Sequence, residues 1–168
     1  MNVAVAADHR GRPVKERIVA FLAEQGHHVL DVGTHSSKSC DYTDTAYAAA
    51  RAVADGKADR AVMICGTGIG MSIAANKLKG IRAALCHDEL TAEVSRRHND
   101  ANVLCLASDV LGEELMRRIV ASWMACEFER GGRHERRVRK IAWIEQDKDP
   151  SQYHEKDGLA ADGKGDGD

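Results

Sequence analysis

The chain has 168 residues, 43% of them apolar and 30% charged, with a net charge of −2. That length suits one domain able to bury roughly 70% of its unfolded surface, and the near-neutral balance argues against nucleic acid or a membrane surface as the main partner. No apolar run approaches the ~18 residues that span a bilayer and no basic-then-apolar leader opens the chain, so a cytoplasmic protein is expected.

Short apolar runs alternate with amphipathic stretches along the chain. NVAVAA (2–7) predicts a first strand, and Pro13 then opens a helix with Val14, Ile18, Phe21 and Leu22 on one face, ended by Gly26. HVLDVG (28–33) predicts a second strand and the alanine-rich segment 45–54 a helix. RAVMIC (60–65) is a third strand, and a glycine turn leads from it into a helix over 70–78. IRAALC (81–86), a helix over 88–97 and ANVLCLA (101–107) continue the rhythm, and Leu115, Ile119 and Trp123 mark a helix over 112–127. Five strands separated by helices predict an α/β doubly wound, Rossmann-like fold: a parallel sheet covered on both faces. A last helix is expected over 131–146, and the acidic, glycine-rich segment 147–168 reads as a disordered tail outside a 1–146 domain.

In such sheets ligands bind beyond the carboxyl ends of the strands. Polar residues stand at several of those ends: Asp8-His9 after the first strand, Cys65-Gly66-Thr67 after the third, His87-Asp88 after the fourth. The five cysteines are odd in number, scattered and without a CxxC pair, a pattern that fits a reducing compartment and neither a disulfide framework nor a zinc site. Cys86, Cys105 and Cys126 lie in apolar segments and read as packing residues. His27, His28, His35 and His154 belong to no constellation and read as surface or loop residues.

VMICGTGIGMSIAANK (62–77) carries the densest signal. A dinucleotide fingerprint needs a third glycine where Met71 stands, a P-loop needs Gly-Lys-Ser/Thr, and a cysteine phosphatase loop needs an arginine closing the turn. None of these fits. What remains is a nest of backbone donors suited to an oxyanion, with Cys65 beside it as a candidate proton acceptor, or a tight strand–helix turn with a bystander cysteine. By the same measure Asp8-His9 could simply cap the helix behind Pro13, His98 a helix C-terminus, and Arg133 and Arg137 could belong to a solvated basic face with Arg130, Arg136, Arg139 and Lys140.

CGTGIGMSIAANK, SRRHNDANVL, the opening VAVAADHRG, DVGT with DY at 41–42, and GGRHERRV, all in order between residues 2 and 146, resemble the type B ribose-5-phosphate isomerase family, which includes the galactose-6-phosphate isomerase subunits. The resemblance implies an aldose–ketose isomerase that interconverts ribose 5-phosphate and ribulose 5-phosphate through a cis-enediolate, without metal or organic cofactor. It implies Cys65 as the base between C1 and C2, the backbone of Gly66, Gly68, Ile69 and Gly70 with Thr67 around the enediolate oxygen, and His98 as the acid that opens the sugar ring. Asp8 would orient hydroxyls, Asn99 would touch the substrate, Tyr42 would line the pocket, and His9, Arg133 and Arg137 would hold the phosphate. Two arginines one helical turn apart can bring both guanidinium forks to one dianion. The resemblance further implies a homodimer with sites shared between subunits, or a tetramer.

The sequence departs from that family at Asp109, where relatives usually carry a basic residue of the phosphate-binding set. An aspartate there would repel a dianion at close range, so Asp109 is a specificity candidate. Either it points away and Arg133 with Arg137 suffice, or the substrate is another aldose: a hexose 6-phosphate or an unphosphorylated sugar. The segment after Tyr42 also lacks the proline common in relatives. Relatives that lack the cysteine use a glutamate in the next helix, and GMSIAANK holds no carboxylate. A non-catalytic sugar-phosphate-binding module is the reading from another class, and the joint presence of Asp8, Cys65, Thr67, His98 and Asn99 argues against it.

Overall fold

The computed structural model describes residues 1–154. The chain divides into two compact units, Met1–Phe128 and a C-terminal one that begins at Glu129. In the first, strands β1 (Asn2–Ala7), β2 (His28–Asp31), β3 (Arg60–Cys65), β4 (Ala83–Leu85) and β5 (Val103–Ala107) form an all-parallel sheet in the order β2-β1-β3-β5-β4. The helices between and after them are α1 (Arg12–Glu24), α2 (Tyr42–Ala54), α3 (Ile69–Ala75), α4 (Glu89–Asn99) and α5 (Glu113–Ala125). This is the doubly wound α/β fold that the alternation predicts.

The strands read as unbroken apolar runs because both of their faces are covered. Val3, Val5 and Ala7 point to one side, where they meet Ile18 and Leu22 of α1, Ala92 of α4 and Met116, Ile119 and Trp123 of α5. Ala4, Ala6 and Met63 point to the other, against Ala46, Ala49 and Ala50 of α2 and Met71 of α3. The period of two along each strand produces this division. Each large side chain buried here contributes about 1.5–3 kcal/mol relative to exposure.

Most elements differ from their expected limits by a residue or more at one end or both; side chains account for two of the differences, at α3 and β2. α3 stops at Ala75 rather than 78, because the Asn76 amide turns away to bond Ser72 O at 3.0 Å and the Ala83 backbone at 2.9 Å (O) and 2.8 Å (N). β2 stops at Asp31, whose carboxylate accepts from Lys15 Nζ at 2.7 and 2.8 Å and from Gly33 N at 3.1 Å. α2 begins at Tyr42, just after Asp41, so the tyrosine lies on a helix and not in a loop.

Two buried cations tie the layers. Lys15 has no exposed surface and is neutralised by Asp31. Arg60, at the start of β3, donates to the carbonyls of Trp123, Met124 and Cys126, the last turn of α5, at 3.0–3.1 Å. A cation there satisfies carbonyls that a helix end leaves without partners.

In the second unit α6 (Gly132–Ile144) follows Gly131 and contains no buried residue. Glu135 accepts from Gly131 N at 2.5 Å and from Arg139 at 2.9 Å. A 3-10 turn at Pro150–Gln152 brings the buried Tyr153 edge-on to Trp143, with centroids 5.1 Å apart. The expected tail therefore opens with a structured turn; its remainder, from 155, lies outside the described residues. Among the described residues no helix is long and apolar enough to cross a membrane.

Candidate active site

The carboxyl ends of β1, β3 and β5 lie side by side, since Ala7 pairs with Ile64 and Cys65 with Ala107. Asp8, the residue after β1, is buried, and its Oδ1 accepts from Arg10 N and Gly11 N at 2.9 Å each. Those two bonds fix the turn that leads into α1, whose N-cap is Gly11 with no side-chain capping bond, so Asp8 shapes the loop and does not cap the helix. Oδ2 has no hydrogen-bond partner among the described residues. His9 Nδ1 accepts from Cys40 N at 3.3 Å, which leaves Nε2 for another partner.

Cys65 ends β3 and is nearly fully buried. Its carbonyl accepts from Ser108 N at 2.9 Å and Ser108 Oγ at 3.1 Å, and Gly66 O accepts from Asp109 N at 2.9 Å. The glycine turn is thus anchored to the residues that follow β5. The Cys65 sulfur accepts from Gly68 N at 3.2 Å. Gly68 has φ +72°, and a Cβ on it would lie 2.4 Å from Leu85 Cδ1 and 3.1 Å from the Leu106 backbone, so only glycine turns the chain here. α3 starts at Ile69, and its first N–H groups have no intrahelical carbonyl to meet. Thr67 and Ile69 are exposed, and the Tyr42 ring lies against Gly70, 2.5 Å from where a Cβ would stand. Of the other thiols, Cys86 and Cys105 are pushed up by burial, which keeps them protonated at neutral pH.

Asp109 does not stand as an isolated negative charge. Its Oδ1 accepts from Arg10 Nε at 3.2 Å and its Oδ2 pairs with Arg10 Nη2 at 2.5 Å. The pair stands over Gly66, where a Cβ would meet Asp109 Oδ2 at 2.6 Å and Arg10 Nε at 3.0 Å. The repulsion expected from the sequence is therefore offset locally. Arg10 escaped the sequence reading; the available signal was a basic residue and an acidic one at the ends of two strands.

His98 and Asn99 lie elsewhere in the first unit. They end α4, next to the start of β4 and β5: Asn99 O accepts from Arg82 Nε at 3.1 Å, and Ala83, the next residue, pairs with Val103. Cys65 is at the opposite end of the strands, since Ala61 is the partner of Val103 and Cys65 that of Ala107. One copy of the chain thus does not bring His98 and Asn99 to Cys65. Arg133 and Arg137 belong to the second unit, both exposed and four residues apart on α6; Arg133 Nε donates to His134 Nε2 at 3.3 Å.

The sequence profile of the Ribose/Galactose Isomerase family matches residues 3–141. The chain is 49% identical to ribose-5-phosphate isomerase B of Escherichia coli K12 over 145 residues, covering 86% of this chain and 97% of that protein. It is 40% identical over 146 residues to the D-erythrulose-4-phosphate isomerase of Pectobacterium atrosepticum, covering 86% and 95%. Among solved structures, Clostridium thermocellum ribose-5-phosphate isomerase B superposes with a TM-score of 0.86 at 48% identity, covering 88% of this chain and 99% of that one. The Mycoplasma genitalium enzyme, with bound ribulose-5-phosphate, gives 0.83 at 39% identity, covering 88% and 97%. The chain belongs to the ribose/galactose isomerase family and is a sugar-phosphate isomerase of the aldose–ketose class.

Proposed function

We propose that this chain interconverts ribose 5-phosphate and ribulose 5-phosphate through a cis-enediolate, with Cys65 as the base. The observation that carries this is the cysteine at the end of the central strand, its sulfur on the Gly68 N–H, with Asp8 following β1 alongside, its N–H on Ile64 O. His98 gives a proton to the ring oxygen and opens the furanose, while Asp8 and Asn99 hold sugar hydroxyls. Cys65 takes the proton from C2 of the aldose, and charge develops on the C1 oxygen. The backbone of Gly66, Gly68, Ile69 and Gly70, with Thr67, meets that oxygen; donors of this kind contribute ~3–4 kcal/mol each. The hydroxyl proton passes from the C2 oxygen to the C1 oxygen, the proton held by Cys65 returns at C1, and the ketose results. His9, Arg133 and Arg137 hold the phosphate, and Tyr42 packs along the pocket.

The acting unit is a cytoplasmic homodimer in which a second copy supplies His98 and Asn99. Two features support it. These residues lie at the opposite end of the strands from Cys65, and Tyr42, Tyr47, Ile69 and Ile73 expose apolar surface on α2 and α3. Mixing inactive Cys65→Ala and His98→Ala chains in equal amounts tests the sharing: random reassociation restores about a quarter of wild-type activity, since half of the dimers are mixed and each holds one intact site. No restored activity after verified subunit exchange overturns it.

A panel of aldose phosphates and free aldoses, followed by ketose formation with Cys65→Ala as control, tests the reaction. Full turnover by Cys65→Ala removes the proposed base, and failure of solvent deuterium to enter the substrate removes the enediolate. A second substrate reading, another aldose with the same mechanism, is favoured by Asp109 and by the relative named for D-erythrulose 4-phosphate. The same panel decides it by the ratio of kcat/KM values.

A further inference from the structure

The Arg10–Asp109 pair spans the carboxyl end of β3. Arg10 follows β1 and Asp109 follows β5, the two strands that flank β3, and their side chains meet above Gly66, the residue after the proposed base. Both partners stand on anchored backbone: Arg10 N donates to Asp8 Oδ1 at 2.9 Å, and Asp109 N donates to Gly66 O at 2.9 Å. An ordinary surface ion pair joins two long, free side chains and does little. Here a short acid on a fixed turn grips the fork of an arginine by Nε and Nη2. Nη1 has no partner among the described residues, and the arginine is the more exposed member, 57% against 37% for the aspartate. The outward side of the pair is therefore cationic and carries free donors, while the carboxylate is occupied.

We infer that Arg10 contacts the anionic end of the substrate in this chain, and that Asp109 is a positioning residue that acts through it. The inference rests on the sugar-phosphate reading above. A fork held at two nitrogens presents its remaining N–H groups in a fixed direction, which suits the oxygens of a phosphate. Asp109 would weaken phosphate binding if it stood alone; held against Arg10, it orients the cation instead.

The test combines steady-state kinetics on ribose 5-phosphate and free ribose with calorimetric binding of ribose 5-phosphate, which needs no turnover. Arg10→Ala is expected to raise KM and Kd for ribose 5-phosphate about tenfold or more, the range for losing a charge-assisted bond, with kcat little changed and free ribose unaffected. Arg10→Lys recovers part of that loss, since it keeps the charge and loses the fork. Asp109→Asn alone raises KM modestly. In the Arg10→Ala background it lowers KM, because it removes a carboxylate that is then unopposed. Unchanged KM and Kd in Arg10→Ala overturn the inference, and so does an Asp109→Asn penalty that persists in full without Arg10. If the wild type binds ribose 5-phosphate and turns over nothing, the proposed reaction fails, while Kd of the variants still decides the role of Arg10. No binding by the wild type overturns both.

Discussion

Gly68→Ala separates backbone strain from crowding at the turn beside Cys65. At φ +72° an alanine costs about 1–2 kcal/mol against a right-handed conformation. Its Cβ would also stand 2.4 Å from Leu85 Cδ1 and 3.1 Å from Leu106 C and O. The leucine tip can swing, but the Leu106 backbone is held inside β5, and forced overpacking of that kind costs about 1–3 kcal/mol. The sum is about 2–5 kcal/mol. Gly56 provides the control, with φ +70° and nothing within 4 Å of its would-be Cβ, so Gly56→Ala meets the strain alone. Urea and thermal unfolding should put Gly68→Ala below Gly56→Ala by about 1–3 kcal/mol, or roughly 2–12 °C for a chain of this size. Equal midpoints for the two variants would refute the crowding argument. Activity supplies a second readout: shifting residue 68 moves the N–H on the Cys65 sulfur, so kcat of Gly68→Ala falls at temperatures where it is still folded.

The Lys15–Asp31 pair is asymmetric, with the lysine fully buried and the aspartate 24% exposed. Asp31→Ala, which strands the buried ammonium, is expected to cost about 3–5 kcal/mol in denaturant unfolding, and Lys15→Met less, because Asp31 keeps access to water and the Gly33 N–H; the reverse order would contradict this. Burial raises the Cys86 and Cys105 thiols, so their thiolate fraction is small at pH 8. Iodoacetamide applied to the native protein, with sites located by peptide mass spectrometry, should leave both unlabelled until denaturant is added. Tyr153→Ala removes the edge contact to Trp143, about 0.5–1.5 kcal/mol, and should alter Trp143 fluorescence; an unchanged emission spectrum would contradict this.

Strands buried on both faces announce themselves as apolar runs, which is why Arg60–Cys65 falls at its expected limits. Helix limits were legible where a local residue sets them, as Pro13 and Gly26 do for α1. What was hidden depends on partners far along the chain. Lys15 looks like one more exposed helix residue until Asp31 arrives from β2, and Arg60 breaks no pattern until the α5 carbonyls gather around it. For the site, the residue types and the glycine turn were readable. The relation between His98 and Cys65 follows from parallel strands alone, since α4 runs back from the end of β4 to the start of β5, the end away from Cys65; what stayed hidden was the strand order that sets β5 beside β3. Asp109 was noticed for its sign, whereas the meaning of that sign lay with Arg10, which only the folded sheet brings near.

The position of β3 between β1 and β5 also governs when this site can exist during synthesis. Val3 pairs with Arg60 and Ala61 with Val103, so the central strand is completed only by segments remote from it in the chain. A growing polypeptide that ends before Ala107 can form local helices, yet its glycine turn has no Ser108 or Asp109 backbone to hold it. Contacts this distant in sequence form slowly and leave strand edges open in the interval. The first unit should therefore set its glycine turn in one late step after β5 leaves the ribosome, and a chain stalled between β4 and β5 should bind chaperones rather than a second copy or sugar.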